Sequence, residues 1–284
     1  MGRVITLLSG KGGVGKTSIT ANLGIALAKR NQKVCVVDAD IAMANLSLLL
    51  NMQSSPITLH DVFLGESTIQ DAIYDGPAGL KVVPSGLSIE TYRRVDSERI
   101  QSVIESISNQ FDFVLLDAPA GIEKNVLAAI SAAQEVLLIT TPDPPSIADV
   151  LKAKITAQRL GVKPIGVVIN FMRGEKGEIS QDDIMKMLEL PVYGLIPYDP
   201  EIRYSFMQSK IVPVMIRMPG SKGSLAIQKL AAKLAGIPVT FDKSDGQVRK
   251  QNFISRFFGG IAGIFRKKKT PPLANTGGQR NGGV

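Results

Sequence analysis

Eight consecutive residues near the amino terminus have the types and spacing needed to hold phosphate groups. They read G-K-G-G-V-G-K-T, from Gly10 to Thr17, and match the phosphate-binding loop pattern G-x-x-x-x-G-K-T. Glycines remove the Cβ clashes that would stop successive backbone N–H groups from turning toward one anion. Lys16 can reach the β- and γ-phosphates of a nucleotide, and the Thr17 hydroxyl can bind Mg²⁺. The pattern therefore predicts a nucleotide site.

The loop also lies between the two elements that such a site requires. An apolar run, Val4 to Leu8, predicts a buried strand before it. Apolar residues at helical spacing follow it: Ile19, Leu23, Ala26 and Leu27. A helix that begins at the loop adds the positive potential of its amino terminus. The predicted nucleotide-binding residues here are Gly10, Lys11, Gly12, Gly13, Val14, Gly15, Lys16, Thr17 and Ser18.

Three aspartates follow apolar strand-like runs. Asp117 ends the run from Phe113 to Leu116, which is the Walker B pattern that delivers a carboxylate to a Mg²⁺ site. Asp38 and Asp40 stand at the end of another β-rich run. Open α/β sheets bind ligands at the carboxyl ends of their strands, so these carboxylates are expected beside the loop. Thr17 and Asp117 are the metal-site residues that these motifs predict.

The rest of the chain alternates between strand and helix patterns. Further strands are predicted at 80–86, 135–140, 165–170 and 192–196. A short helix is predicted at 45–50, two short helices are predicted around Gly65, and further helices are predicted at 96–110, 122–133, 146–160, 181–189, 200–208 and 222–235. This alternation predicts an α/β fold of the P-loop NTPase kind, in which a mostly parallel central sheet has helices on both faces. Residues 1–241 are expected to form this single domain.

Composition excludes several classes of protein. The single cysteine, Cys35, rules out a disulfide framework or a cysteine-bound metal cluster within one chain, and it is expected in the core. His60, the one histidine, is expected on the surface of a helix. The amino terminus has no secretory pattern and no apolar run reaches 18 residues, so we expect a cytoplasmic protein without a membrane span.

The net charge is concentrated at the carboxyl terminus. Residues 243–284 contain nine Lys/Arg against one Asp, which equals the net charge of +8 of the whole chain. Residues 1–242 are therefore neutral overall. The segment 242–251 is polar and is expected to be a linker. An anionic partner is expected to meet the basic segment that follows.

Residues 252–269 predict an amphipathic helix that binds membranes. Seven apolar side chains share one side of the helical wheel: Phe253, Ile254, Phe257, Phe258, Ile261, Ile264 and Phe265. Four basic residues follow: Arg266, Lys267, Lys268 and Lys269. Such a segment can bury its apolar face at the acyl boundary of an anionic leaflet, but it is too short to span a bilayer. Residues 270–284 are rich in Gly, Asn and Pro and are expected to be disordered.

Together these motifs resemble the MinD/ParA family of deviant Walker A ATPases, and its MinD branch in particular. The resemblance rests on K-G-G-V-G-K-T at 11–17, V-V-D-A-D at 36–40, the Asp117 strand, Asn170 and the basic tail. It implies that the cofactors are ATP and Mg²⁺ and that Lys11 crosses a dimer interface to the partner's nucleotide. It further implies that Asp40 polarises the attacking water, while Asp38 and Asp117 organise the waters of the metal.

The resemblance also places the adenine base between two late strands. It implies that Asn170 and the loop containing Pro197 and Asp199 hold adenine. The guanine-specific sequence N-K-x-D is absent at this strand end, which reads I-N-F-M at 169–172. We therefore expect ATP rather than GTP.

The expected function is an ATP-dependent, dimerising ATPase that binds the inner face of the cell membrane and positions cell-division or other polar machinery. Its hydrolysis is expected to be slow and stimulated by an unidentified partner protein. A ParA-like DNA segregation ATPase and a flagellum-number regulator of the same group are the alternatives. Because residues 1–242 carry no net charge, DNA is not an expected partner.

Overall fold

The computed structural model describes residues 2–40, 44–86, 99–121, 123–207 and 210–238. These residues form one eight-stranded sheet in the order β3-β4-β2-β5-β1-β6-β7-β8. The strands are β1 (Arg3–Leu8), β2 (Val34–Asp38), β3 (Tyr74–Asp75), β4 (Lys81–Val83), β5 (Phe113–Asp117), β6 (Glu135–Thr140), β7 (Lys163–Met172) and β8 (Val192–Pro197). All neighbouring strands are parallel except the antiparallel pair β3 and β4. The predicted fold class is confirmed.

Helices connect the parallel strands. They are α1 (Lys16–Ala28), α2 (Asn45–Leu49), α3 (Leu59–Leu64), α4 (Ile100–Ser108), α5 (Lys124–Ser131), α6 (Pro144–Arg159), α7 (Gln181–Leu188), α8 (Pro200–Phe206), α9 (Val214–Arg217) and α10 (Lys222–Ala235). The sequence did not predict β3 or α9, because a two-residue strand and a single helical turn are too short to show a period. The second helix expected after Gly65 is a 3₁₀ turn, Gln70–Ala72.

Two apolar cores cover the two faces of the sheet. In β1, Val4 and Leu8 face one core, while Ile5 and Leu7 face the other, and all four are buried. A central parallel strand is covered by helices on both sides, so it reads as a continuous apolar run rather than an alternating one. This explains why the sequence before the loop shows no polar face.

The sheet order brings the functional strand ends together. In the pairing of β2 with β5, Asp38 lies opposite Asp117, and β5 in turn pairs with β1, which leads into the glycine-rich loop. Strands β7 and β8 lie on the other side of β1, beyond β6. The carboxyl edge of the sheet therefore has a phosphate side and a second side built by β7 and β8.

The sequence prediction for His60 is wrong. His60 lies in α3 but is buried, with 6% of its surface exposed, rather than at the surface. The start of α3 packs against the chain after β4, where the Leu59 N–H donates to the Pro84 carbonyl. This long-range contact covers the first turn of α3, which the helical period alone does not reveal.

The described residues contain no helix that is both long and apolar enough to cross a membrane. They all lie within the unit Met1–Val239. The predicted linker, amphipathic helix and carboxyl-terminal segment lie outside the described residues, so the domain boundaries at 241, 251 and 269 stay predictions.

Candidate nucleotide-binding site

The glycine-rich loop has the backbone that a phosphate site needs. Gly13 and Gly15 have φ angles of 82° and 88°, in the left-handed region that residues with a Cβ rarely adopt. Gly15 is the N-cap residue of α1, and no side chain caps that helix. The first backbone N–H groups of α1 therefore stay available to an anion at the positive end of the helix.

The start of the loop packs tightly against α6. A Cβ atom on Gly10 would lie 2.2 Å from the backbone carbon of Asp149, so only glycine fits this position. The next residue, Lys11, points its ammonium at Asp143, with an Nζ–Oδ1 distance of 3.3 Å. Burial would raise the pKa of the Asp143 carboxyl, but hydrogen bonds from Thr141, Ser146 and Lys11 outweigh it and lower the pKa to about 2. Lys11 therefore has an ionised partner within its own chain.

Lys16 is a buried cation with a buried partner. Its Nζ atom lies 2.8 Å from Oδ1 of Asp117, and the exposed fractions of the two side chains are 8% and 1%. The same Asp117 oxygen accepts a hydrogen bond from the Thr20 hydroxyl, one turn along α1. The Thr17 hydroxyl lies 3.4 Å from Lys16 Nζ. The loop, α1 and β5 are thus joined at one point by a charged pair.

A second carboxylate stands beside this pair. Asp38 is completely buried, and its Oδ2 atom has no hydrogen-bond partner, while its Oδ1 accepts the N–H of Asp40. Burial raises the pKa of Asp38 well above its ordinary value, and the neighbouring Asp117 raises it further. An unpartnered oxygen and two adjacent carboxyl groups are the donor set that fits a divalent cation.

The fit to Mg²⁺ is good because this ion needs few protein ligands. It is usually held by one or two carboxylates, with water and substrate phosphates completing its shell. Among the described residues, no cluster of three or more His, Cys, Asp or Glu side chains could form an all-protein metal site. That Thr17, Asp38 and Asp117 hold this metal stays a prediction.

The second side of the site comes from the ends of β7 and β8. Asn170 is buried and its Nδ2 donates to the Val14 carbonyl of the loop at 2.8 Å, while its Oδ1 is unpartnered. Pro197 ends β8. Asp199 is the N-cap residue of α8, and its two carboxylate oxygens accept the N–H groups of Glu201 and Gly223. The side chain of Asp199 is therefore committed to holding α8 and α10.

A cavity of about 740 Å³ joins the two sides. Ten of the predicted site residues line it: Gly12, Gly13, Val14, Gly15, Lys16, Thr17, Ser18, Asp40, Asn170 and Asp199. Five others lie outside its lining: Gly10, Lys11, Asp38, Asp117 and Pro197. Asp117 still contacts the cavity wall through Lys16. Most of the predicted site is thus brought into one cavity, although the roles assigned to these residues stay predictions.

The sequence reasoning missed several residues of the site. Phe171, Arg173 and Tyr198 line the cavity but were not predicted. Each lies only one to three residues from a residue that was predicted. Ile202 and Phe206 of α8 line it as well. Thr20 was also missed, although its position four residues after Lys16 places it on the same face of α1. The aromatic residues carry no phosphate motif, so only their nearness to Asn170 and Asp199 could have indicated them.

The fold and the site define a P-loop nucleotide-binding protein. A family model described as the CobQ/CobB/MinD/ParA nucleotide binding domain matches residues 5–211. The chain belongs to this family. It is also 42% identical over 265 residues to an uncharacterised ATP-binding protein of Methanocaldococcus jannaschii, covering 93% of this chain and 98% of that one.

Two similar solved structures belong to the MinD branch of the family. The cell division ATPase MinD of Pyrococcus furiosus superimposes with a TM-score of 0.79 at 37% identity, covering 83% of this chain and 99% of that chain. The septum site-determining protein MinD of Pyrococcus horikoshii, solved with Mg-ADP, has a TM-score of 0.79 at 35% identity and covers 85% and 100%. The predicted resemblance to the MinD/ParA family, and to MinD within it, is confirmed.

Proposed function

We propose that this protein is a MinD-type ATPase, a dimerising switch whose nucleotide state controls its attachment to the membrane. The observation that carries the proposal is the meeting of Lys16, Asp117 and Asp38 beside the glycine-rich loop at one edge of the sheet. ATP is the nucleotide and Mg²⁺ its metal, as the Mg-ADP bound to the Pyrococcus horikoshii relative supports.

The reaction is hydrolysis of ATP to ADP and phosphate. The oxygen of a water attacks the γ-phosphorus, and the bond from that phosphorus to the β–γ bridging oxygen breaks. Lys16 and the loop N–H groups hold the phosphates, Asp40 orients the water, and Thr17, Asp38 and Asp117 hold the metal with its waters. When bound, Mg²⁺ offsets the charge of the phosphate oxygens.

Lys11 makes hydrolysis depend on dimerisation. Its side chain is 39% exposed and contacts Asp143 across the surface rather than the cavity, whose lining does not include it. A lysine that faces outward can contact the phosphates of a nucleotide bound to a second subunit. Exposed ion pairs contribute only about 0–1 kcal/mol, so exchanging Asp143 for a partner's phosphate costs little.

The carboxyl-terminal residues 243–284, which we call the tail, attach the protein to the membrane. One amphipathic segment at 252–269 binds an anionic leaflet weakly and reversibly, whereas two segments joined in a dimer bind far more tightly through their effective concentration. ATP therefore favours the membrane and hydrolysis favours release. The protein is peripheral on the inner face of the cell membrane and otherwise cytoplasmic.

The cellular role that fits best is positioning of the division machinery. The relatives with solved structures at 37% and 35% identity are a cell division ATPase and a septum site-determining protein. A DNA segregation role is not favoured, because these relatives are MinD proteins and the residues before the tail carry no net charge.

Liposome flotation tests the proposal. With vesicles containing anionic lipid, full-length protein is expected to float with Mg-ATP and to stay in solution with Mg-ADP. A chain ending at Asp242 and a Lys11→Ala variant are each expected to lose the ATP-dependent fraction, while Lys152→Ala, an exposed lysine of α6, is the matched control. Equal flotation with ATP and ADP would reject the switch.

A further inference from the structure

A further cavity lies at the opposite edge of the sheet from the glycine-rich loop. It has a volume of about 510 Å³ and lies where β2 and β4 begin and where the chain approaches β5. Lys33, Lys81 and Phe111 are among the residues that line it, and its lining shares no residue with that of the cavity beside the glycine-rich loop. Sites for small molecules have volumes of about 300–1,000 Å³. We call this space the amino-edge cavity.

Two lysines stand side by side at this edge. In the parallel pairing of β2 with β4, Cys35 lies opposite Lys81. Lys33 is two positions before Cys35, and its carbonyl continues the sheet by accepting the N–H groups of Asp112 and Phe113. Because side chains alternate between the two faces of a sheet, Lys33, Cys35 and Lys81 share one face. The ammonium groups of the two lysines can therefore reach the same ligand.

Neither lysine has a strong partner that would keep a ligand away. Lys33 makes no ion pair with any residue that the structure describes. The Nζ atom of Lys81 lies 2.5 Å from Oδ1 of Asp75, but the side chains are 40% and 82% exposed. Exposed ion pairs add little to stability, so the negative group of a ligand can compete with Asp75. The carboxylate of Asp112 is already used, since it accepts the backbone N–H of Lys33 at 2.8 Å.

Apolar surface lies beside the lysines. Ile73 and Phe111 line the cavity, and both are partly buried against the core that covers this face of the sheet. The amide side chains of Gln70 and Gln110 also line it. Sites for small molecules usually combine apolar walls with a few polar groups that fix the orientation of the ligand. The amino-edge cavity has both parts.

We propose that the amino-edge cavity binds a small organic anion with a flat apolar body. Lys33 and Lys81 hold its negative group, and its body packs against Ile73 and Phe111. None of the described residues that line the cavity is an aspartate or glutamate, so the lining favours an anion over a neutral ligand or a cation. The proposal goes beyond the nucleotide function and does not depend on it. Strands β2 and β5 run from this edge to the glycine-rich loop, so the two ligands bind at opposite ends of the same strands.

Calorimetric titration of the full-length protein with naphthalene-1-sulfonate tests the proposal. The uncharged naphthalene-1-sulfonamide is the matched ligand, because it has the same ring system without the charge. An exposed charge pair is worth up to about five-fold in affinity, so with two lysines the sulfonate is expected to bind about ten-fold more tightly than the sulfonamide. The affinity for the sulfonate is expected to be the same with and without Mg-ADP, since the two cavities share no lining residue.

Charge variants test the two lysines. Lys33→Gln and Lys81→Gln are each expected to weaken the sulfonate about three-fold and to leave the sulfonamide unchanged. Asp75→Asn should act in the opposite direction, because it releases Lys81 from its partner, and is expected to tighten the sulfonate about two-fold. Lys152→Gln is the matched control, since Lys152 is likewise an exposed lysine with a carboxylate partner, and it should change neither affinity.

A ring variant tests the apolar wall. Phe111→Leu removes the ring but keeps an apolar side chain against the core, so the protein is expected to stay folded in urea unfolding. Loss of ring contact should weaken the sulfonate and the sulfonamide by the same factor of about three. Wild-type affinity for both ligands in this variant would show that Phe111 is not part of the site.

Several results would overturn the proposal. Equal affinity of the wild-type protein for the two ligands, or no binding of the sulfonate, would show that the cavity does not select an anion. If Lys33→Gln, Lys81→Gln and Asp75→Asn all leave the sulfonate affinity unchanged, the ligand binds elsewhere, for example on the basic tail. If Mg-ADP displaces the sulfonate, the ligand lies in the cavity beside the glycine-rich loop.

Discussion

The cavity beside the glycine-rich loop has two sides that are built in opposite ways. One is formed by the glycine-rich loop, where the resemblance places the phosphates, and the other by β7, β8 and α8, where it places the base; we call them the phosphate side and the base side. The phosphate side comes from seven consecutive residues, Gly12 to Ser18, supported by carboxylates at neighbouring strand ends. The base side is assembled from the ends of β7 and β8 and from α8, which are separate in sequence. Phosphate binding can be encoded locally because it needs backbone N–H groups and one cation. A base needs surfaces on several sides, which one segment cannot supply.

The two sides also differ in what they bury. On the phosphate side, the ionisable side chains of Lys16, Asp117 and Asp38 are buried. On the base side, the buried carboxylate of Asp199 is used for capping, and aromatic rings border the cavity. We therefore expect substitutions on the phosphate side to affect every phosphate ligand, and those on the base side to affect stability or the base alone.

Lys16→Ala is expected to have the largest effect. It removes the ammonium that is proposed to bind phosphate and leaves the buried Asp117 carboxylate with the Thr20 hydroxyl as its donor. Breaking a buried ion pair costs about 3–5 kcal/mol of folding free energy, and the lost charged contact weakens ATP and inorganic triphosphate alike by about 100-fold. Calorimetric titration and urea unfolding measure the two effects. If Lys16→Ala still bound triphosphate with wild-type affinity, the assignment of the phosphates to this side would be contradicted. Lys152→Ala is the matched lysine control.

Asp199→Ala is expected to reduce stability rather than phosphate binding. It leaves the N–H groups of Glu201 and Gly223 without their acceptor, which costs about 2 kcal/mol of unfolding free energy. Triphosphate affinity should not change, since Asp199 does not contact the loop. Ser180→Ala removes the N-cap of α7, which is away from the cavity, and is the control in urea unfolding. A large loss of triphosphate affinity would contradict the division between the two sides.

Asn170→Ala tests the hydrogen bond that links the two sides. Its Nδ2 holds the Val14 carbonyl, so its loss should loosen the loop at a cost of about 1 kcal/mol, which corresponds to roughly five-fold weaker triphosphate binding. Phe171→Ala, next in the chain, is expected to leave triphosphate unaffected. If the two variants behave alike toward triphosphate, Asn170 is not a link to the loop.

Asp143→Ala is expected to have the smallest effect, and it should depend on pH. The ionised carboxylate caps α6, which contributes about 1 kcal/mol. Its folded pKa of about 2 lies below the ordinary value of 3.8, so this stability is present above pH about 4 and is lost as the pH falls toward 2. Urea unfolding at pH 7 and pH 3 should show a difference from wild type that shrinks at pH 3. Asp143→Asn keeps an acceptor for the Ser146 N–H but also lacks the titrating carboxyl, so its difference from wild type should be smaller at pH 7 and should shrink by the same amount at pH 3. A difference from wild type that does not change with pH in either variant would contradict the ionic explanation.

Local sequence patterns predicted most of the fold because the apolar runs of the strands and the helical spacing of apolar residues are regular in this chain. The run from Val4 to Leu8 and the helical spacing after it are realised in β1 and α1, and Cys35 is buried as expected. The prediction that His60 lies at the surface was wrong because its burial depends on contacts with the chain after β4. The short elements β3 and α9 were missed because they span too few residues to repeat a pattern.

The sequence by itself determined that this protein has a P-loop and a parallel α/β sheet and that it belongs to the MinD/ParA family. Each of these conclusions depends on residue types at short, regular spacing. Tertiary structure decided that Asn170 donates to Val14, that Lys11 pairs with Asp143, and that Phe171 lies beside Gly15. The physical reason is distance along the chain: a periodic pattern reports which face of an element is buried, whereas partners more than a hundred residues apart are chosen only when the strands align.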